Sequence, residues 1–132
     1  MKRDVLIRVT QLLVQTLAAL KDWDNWKDTT ALCQHDGDEE EMKVAVEGQS
    51  KAWKEYSLRK TELEQATAAA CLAISDDLWK SAQAVGTSIL QVRQLHFMPS
   101  RTHNKTLQQV DEEALAFIKA ARRELGIVHI DT

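Results

Sequence analysis

Residues 38–75 read DEEEMKVAVEGQSKAWKEYSLRKTELEQATAAACLAIS, and this stretch predicts one helix of about 35 residues. Its apolar residues recur at intervals of three and four from Met42 through Ala52 to Leu63. Asp38, with a glutamate three residues later, is typical of a helix N-cap. Ser75, followed by two aspartates, is typical of the cap of the next helix.

The rest of the chain is equally poor in residues that break helices, with one proline and four glycines in 132 residues. Gly37, Pro99 and Gly126 fall where amphipathic patterns stop or change phase. The predicted helices run from Lys2 to at least Trp26 and as far as Cys33, from Asp38 to Ile74, from Leu78 to an end near Phe97–Pro99, and from Thr106 to Gly126. Gln109 completes a capping box with Thr106.

These patterns predict an all-α, antiparallel, up-down-up-down four-helix bundle with a long N-terminal helical hairpin, formed as a single domain over 1–132. The unequal lengths make the first two helices extend beyond the last two. Their apolar residues would then need cover from a second copy, which predicts a homodimer. Those residues are Met42, Val46, Leu12, Leu13 and Leu17. A break of the second helix near 48–50 would instead give a compact monomer.

Composition narrows the classes of function. A net charge of -3 and a pI of about 5.8 argue against DNA binding. Cys33 and Cys71 fit no metal-binding spacing, so we expect buried thiols, no metal, no cofactor and a cytoplasmic location. The apolar segment from Val5 to Leu20 is interrupted by polar residues and too short to span a bilayer. No transmembrane segment or signal peptide is therefore expected.

Folding the predicted hairpins onto themselves brings five ring-bearing residues together. They are Trp23, Trp26, Trp53, Tyr56 and His96. One interpretation is a layer of the core, and the other is a binding pocket for a cationic, planar or small amphipathic ligand. Gly48, inside a helical pattern, would either make room for an indole or mark a break in the helix.

Two runs of small residues, 66–73 and 81–86, face each other when the second and third predicted helices are folded together at Ile74–Ser75. They predict a close helix crossing at Gly86, or alternatively a cleft beside Trp79.

Five residues separate Arg123 from His129. This spacing resembles the Arg-x4-6-His motif of HEPN ribonucleases, which are small helical proteins that form their active site by dimerising. The resemblance implies that Arg123 stabilises phosphate charge and that His129 acts in acid–base catalysis. In the alternative interpretation, Arg122 and Arg123 interact with the negative end of the last helix and His129 lies in a tail.

From Trp53 to Ile127 the order of elements is a charged helix, an Asp-Asp-Leu-Trp helix, a Pro-containing loop and a last helix ending Arg-Arg-Glu-Leu-Gly-Ile. This order resembles small uncharacterised bacterial helical-bundle proteins. The resemblance implies a fold and no particular function.

The sequence therefore predicts a non-enzymatic helical module for binding and protein–protein interaction that self-associates as a homodimer. Its partner would be a protein or a small amphipathic or cationic ligand. A HEPN-like ribonuclease and a peripheral membrane-associated helical protein are the alternative functions.

Overall fold

The computed structural model describes residues 2–96 and 100–126. Over these residues it contains four α-helices: α1 (Lys2–Asp36), α2 (Glu39–Ala70), α3 (Asp76–Leu90) and α4 (Leu107–Glu124). A short 3-10 helix, Arg93–Leu95, lies between α3 and α4. The all-α prediction is confirmed, and the contacts between helices are those of a bundle.

The predicted helix ends are confirmed where side chains cap the backbone. Asp38 Oδ1 accepts a hydrogen bond of 2.8 Å from the Glu41 N–H at the start of α2. Ser75 Oγ accepts from Leu78 at the start of α3. The Thr106 hydroxyl and the Gln109 side chain form both hydrogen bonds of a capping box. After α4, Gly126 has a φ of +78°, the left-handed conformation common at helix ends.

α1 and α2 form the main hairpin, and α2 runs without a break through Gly48. The alternative of a broken second helix is therefore wrong. α4 packs on α1 and α3, and one hydrophobic cluster runs through all four helices. Its completely buried large side chains include Leu6, Leu12 and Leu20 of α1, Ile89 of α3, and Val110 and Phe117 of α4.

The shorter helices cover the N-terminal half of α1. Leu12, Leu13 and Leu17 are all buried there, so the expectation that they need cover from a second copy is wrong. The Lys21 ammonium lies 2.6 Å from the Asp111 carboxylate, which places the first turns of α4 beside the middle of α1. The part of the hairpin that extends beyond α3 and α4 is therefore the end near the α1–α2 turn.

α3 ends at Leu90, earlier than predicted. The chain leaves the helix because its backbone pairs with residues far along the sequence: the Arg93 N–H donates to Lys105 O and the Lys105 N–H donates to Gln91 O, each at 3.0 Å. The predicted end at Phe97–Pro99 lies outside the described residues. The short 3-10 helix that follows α3 is also tied to α1, because Lys27 Nζ donates to Gln94 O at 3.1 Å.

α2 and α3 are joined at one end, where Trp79 Nε1 donates to Thr67 O at 3.1 Å. Farther along, they diverge. A Cβ atom added to Gly86 would meet no atom within 4 Å, so the predicted close crossing at Gly86 is wrong. The small residues line a groove between the two helices instead.

The cysteines are less buried than expected. Cys71 is exposed and Cys33 is half-buried, so the prediction of two buried thiols is wrong. Cys33 lies beside the beginning of α2 and Cys71 follows its end. A helix of 32 residues is about 48 Å long, which separates the two thiols too far for a disulfide within one chain.

Within the described part of the chain, no helix combines the length and apolar character needed to cross a membrane.

Candidate functional site

Three of the five predicted ring-bearing residues are in contact where α1 and α2 pack together. The Trp23 and Trp53 ring centroids are 5.2 Å apart, and those of Trp53 and Tyr56 are 5.4 Å apart. Both pairs are tilted, and their centroid distances lie in the range typical of interacting aromatic rings. Trp53 and Tyr56 lie three residues apart on α2, so both reach the same side of that helix.

The two neighbours of Trp53 are buried, whereas Trp53 itself is 42% exposed. Trp23 also has a cation against it, because Lys27 Nζ lies 5.2 Å from the centre of its ring. Lys27 is held in turn by the carbonyl of Gln94. An exposed indole is therefore supported by two buried rings.

Trp26 lies one turn farther along α1, against the backbone of α2. Its indole carbons are about 2.5 Å from where a Cβ of Gly48 would lie, which confirms that Gly48 makes room for an indole. Trp26 is half-buried, and it also borders a hollow on the protein surface together with Cys33 and Val44.

His96 stacks on His103 across the α3–α4 connection, with ring centroids 3.6 Å apart and planes within 10°. Its Nε2 lies 2.7 Å from Leu90 O. His96 borders a groove that Trp53 and Tyr56 also line, so it lies across that groove from the indole.

Trp53 borders two grooves that run along the same side of α2. Toward the hairpin turn, Trp53 adjoins Trp23 and Val46; toward α3, it adjoins Tyr56, Leu90 and His96. Val46 and Leu90 are each about half-exposed. We call the combined area, formed by Val46, Trp53, Tyr56, Leu90 and His96, the Trp53 surface.

The side chain of Tyr56 is suited to packing and not to nucleophilic chemistry. Burial, and secondly the nearby charge of Glu64, raise the pKa of the Tyr56 phenol well above its ordinary value. The phenol therefore stays protonated at neutral pH and can act as a hydrogen-bond donor.

The residues with a HEPN-like spacing are only partly described. Arg123 is exposed in the last turn of α4, and His129 lies outside the described residues. The structure therefore gives no geometry for this pair.

No group of three or more His, Cys, Asp or Glu residues within 2–96 and 100–126 is arranged to hold a metal ion.

Two neighbours of the Trp53 surface escaped the sequence analysis. Lys60 is a polar interruption in the apolar stripe of α2, yet it is buried beside Tyr56 and paired with Glu64. His103 is a loop residue whose stacking on His96 depends on the path of the connection. A lysine on the buried side of an amphipathic pattern is the only sequence signal for either residue.

Comparisons with models of known families, with curated proteins and with solved structures found no match.

Proposed function

We propose that this chain is a non-enzymatic helical interaction module that self-associates through the Trp53 surface. The observation that carries this proposal is the exposure of Trp53 between two other half-exposed apolar side chains, Val46 and Leu90. Tryptophan is enriched among the residues that contribute most binding energy at protein interfaces.

Rigidity supports the same proposal. The contacts of Trp53 with Trp23 and Tyr56 hold its indole in one orientation before any partner arrives. Binding then costs little side-chain entropy at this position.

The occupant we propose is a second copy of the chain. α3 lies along one side of α2 as far as Leu90, across the groove between the two helices, and the same side of α2 continues toward the hairpin turn through Trp53 and Val46. These two residues remain about half-exposed there. The corresponding hairpin of a second copy would bury both surfaces in a twofold-symmetric dimer.

The two free cysteines are consistent with a reducing compartment, and we propose the cytoplasm.

Light scattering over a range of protein concentrations tests self-association. We expect a mass twice the 15.0 kDa of the chain for the wild type. Trp53→Glu and Val46→Glu should each give the monomer mass, because each would bury a charge in the interface. Leu58→Glu is the matched control, since Leu58 is 53% exposed on α2 and lies outside the Trp53 surface.

Far-UV circular dichroism shows whether each variant keeps its helices. A monomeric wild type at every concentration would contradict the proposal. A dimer that Leu58→Glu dissociates and the other two variants leave intact would place the interface elsewhere.

A further inference from the structure

The groove between α2 and α3 has a volume of about 370 Å³ and mostly apolar walls. Leu63 and Ala68 of α2 face Ala82, Gly86 and Leu90 of α3 across it. At one end it meets the Trp53 surface, because Lys60, Glu64 and Leu90 border both. The two helices touch little along this length and are joined mainly near Trp79.

Gly86 has no packing role that explains it. Glycine inside a helix is destabilising relative to alanine. No atom lies within 4 Å of the place where its Cβ would be, and its φ is not positive. The absence of a side chain at Gly86 widens the groove.

Lys60 supplies a charge at the end of this groove. The residue is 8% exposed, so its aliphatic stem is covered by the groove wall. Its ammonium pairs with Glu64, four residues later, whose side chain is 63% exposed. The Glu64 carboxylate is exposed and can turn out into water, but the buried Lys60 ammonium needs an anionic partner, so another carboxylate would have to take its place.

Lys60 is a cation in an apolar wall, and its anionic partner, Glu64, can be replaced. This combination suits a ligand with a carboxylate head group and an apolar chain. We propose that the α2–α3 groove binds an amphipathic carboxylate, whose head group takes the place of Glu64 on Lys60. The alkyl chain lies along Leu63, Ala82 and Gly86. An amphipathic cation is disfavoured, because its head group would compete with the buried Lys60 ammonium for the Glu64 carboxylate. The groove adjoins the Trp53 surface at Leu90, and this proposal does not rest on self-association.

Calorimetric titration with dodecanoate below its micellar concentration tests the proposal, with dodecyltrimethylammonium as the probe of opposite charge. We expect saturable binding of dodecanoate and at least tenfold weaker binding of the cation. Lys60→Met keeps the apolar stem and removes the charge, and should weaken dodecanoate binding at least tenfold.

Gly86→Leu tests the groove independently of charge. The open space at this position lets the fold accept the larger side chain, which would then occupy the place of the alkyl chain. It should also weaken dodecanoate binding at least tenfold. Ala84→Leu is the matched control: Ala84 lies on the exposed side of α3, so binding should be unchanged.

Three outcomes would overturn the proposal: no saturable binding of dodecanoate, equal or tighter binding of the cation, or equal weakening by Ala84→Leu and Gly86→Leu. Light scattering on the same samples keeps the two proposals apart. A wild-type protein that dimerises but does not bind dodecanoate would contradict the groove proposal alone. A wild-type protein that stays monomeric but binds dodecanoate would contradict the self-association proposal alone.

Discussion

The indole of Trp26 lies where a side chain on Gly48 would be: its ring carbons Cδ2, Cε2 and Cε3 are 2.5–2.6 Å from the place of a Cβ atom. This close approach lets the backbone of α2 lie directly against an aromatic ring of α1. It also explains a glycine in the middle of a continuous 32-residue helix. Gly86 shows the opposite relationship, with open space at the same position.

Substituting alanine at these two glycines should therefore have opposite effects on stability. Gly86→Ala should stabilise the protein by about 0.5–1 kcal/mol through helix propensity alone. Gly48→Ala should destabilise it by about 1–3 kcal/mol, because the new methyl group displaces the Trp26 ring. Urea denaturation measures both changes.

The double variant Trp26→Ala/Gly48→Ala identifies the cause. With the indole removed, the alanine at position 48 should no longer be destabilising, so the two changes should be strongly non-additive. An unchanged cost of Gly48→Ala in the Trp26→Ala background would exclude the ring contact as its source.

The interior of the bundle depends on Phe117 of α4, which is 0% exposed. Phe117→Ala should lower the free energy of unfolding by about 3–5 kcal/mol, because it removes a buried ring and leaves a cavity. Leu115→Ala, on the exposed side of the same helix, should cost less than about 1 kcal/mol. Chemical denaturation of the two variants checks the difference, and similar losses would mean that α4 does not face the core as described.

Glu113 of α4 should make stability depend on pH. Its partial burial acts to raise its pKa, but hydrogen bonds from Lys105 and Ser88, together with the Lys105 charge, outweigh burial and lower the pKa of this carboxyl. A carboxyl whose pKa is lowered by folding stabilises the folded state above its ordinary pKa. This contribution is lost as the pH falls through the lowered value.

Comparing the wild type with Glu113→Gln across the acidic range measures this contribution. The wild type should be more stable than the variant at neutral pH, and the difference should shrink as the pH falls below the ordinary glutamate range. A difference that stays constant from neutral to strongly acidic pH would show that ionisation of Glu113 does not stabilise the fold.

The sequence predicted best the features that depend on neighbouring residues. The caps at Asp38, Ser75 and Thr106 each need only a side chain and a backbone N–H three residues later. The approach of Trp26 to Gly48 was also predictable, because an antiparallel hairpin with a known turn fixes which residues lie opposite each other.

Features that depend on contacts between distant segments were missed. α3 ends at Leu90 because the backbone near Val92 pairs with Lys105, and no local signal marks that pairing. The α2–α3 groove depends on the angle at which two helices diverge from their joined end. Runs of small residues fit a close crossing and an open groove equally well, as the Gly86 prediction shows.

We propose that Trp53 lies in the interface between two copies of the chain. Fluorine NMR of protein labelled with 5-fluorotryptophan tests it most directly, with the four tryptophan resonances assigned by single Trp→Phe substitutions. As protein concentration rises through the dimerisation range, the Trp53 resonance should shift or broaden most. The resonance of Trp79, which lies outside the Trp53 surface, should stay unchanged. Four resonances that do not depend on concentration, or a change confined to Trp79, would contradict the account.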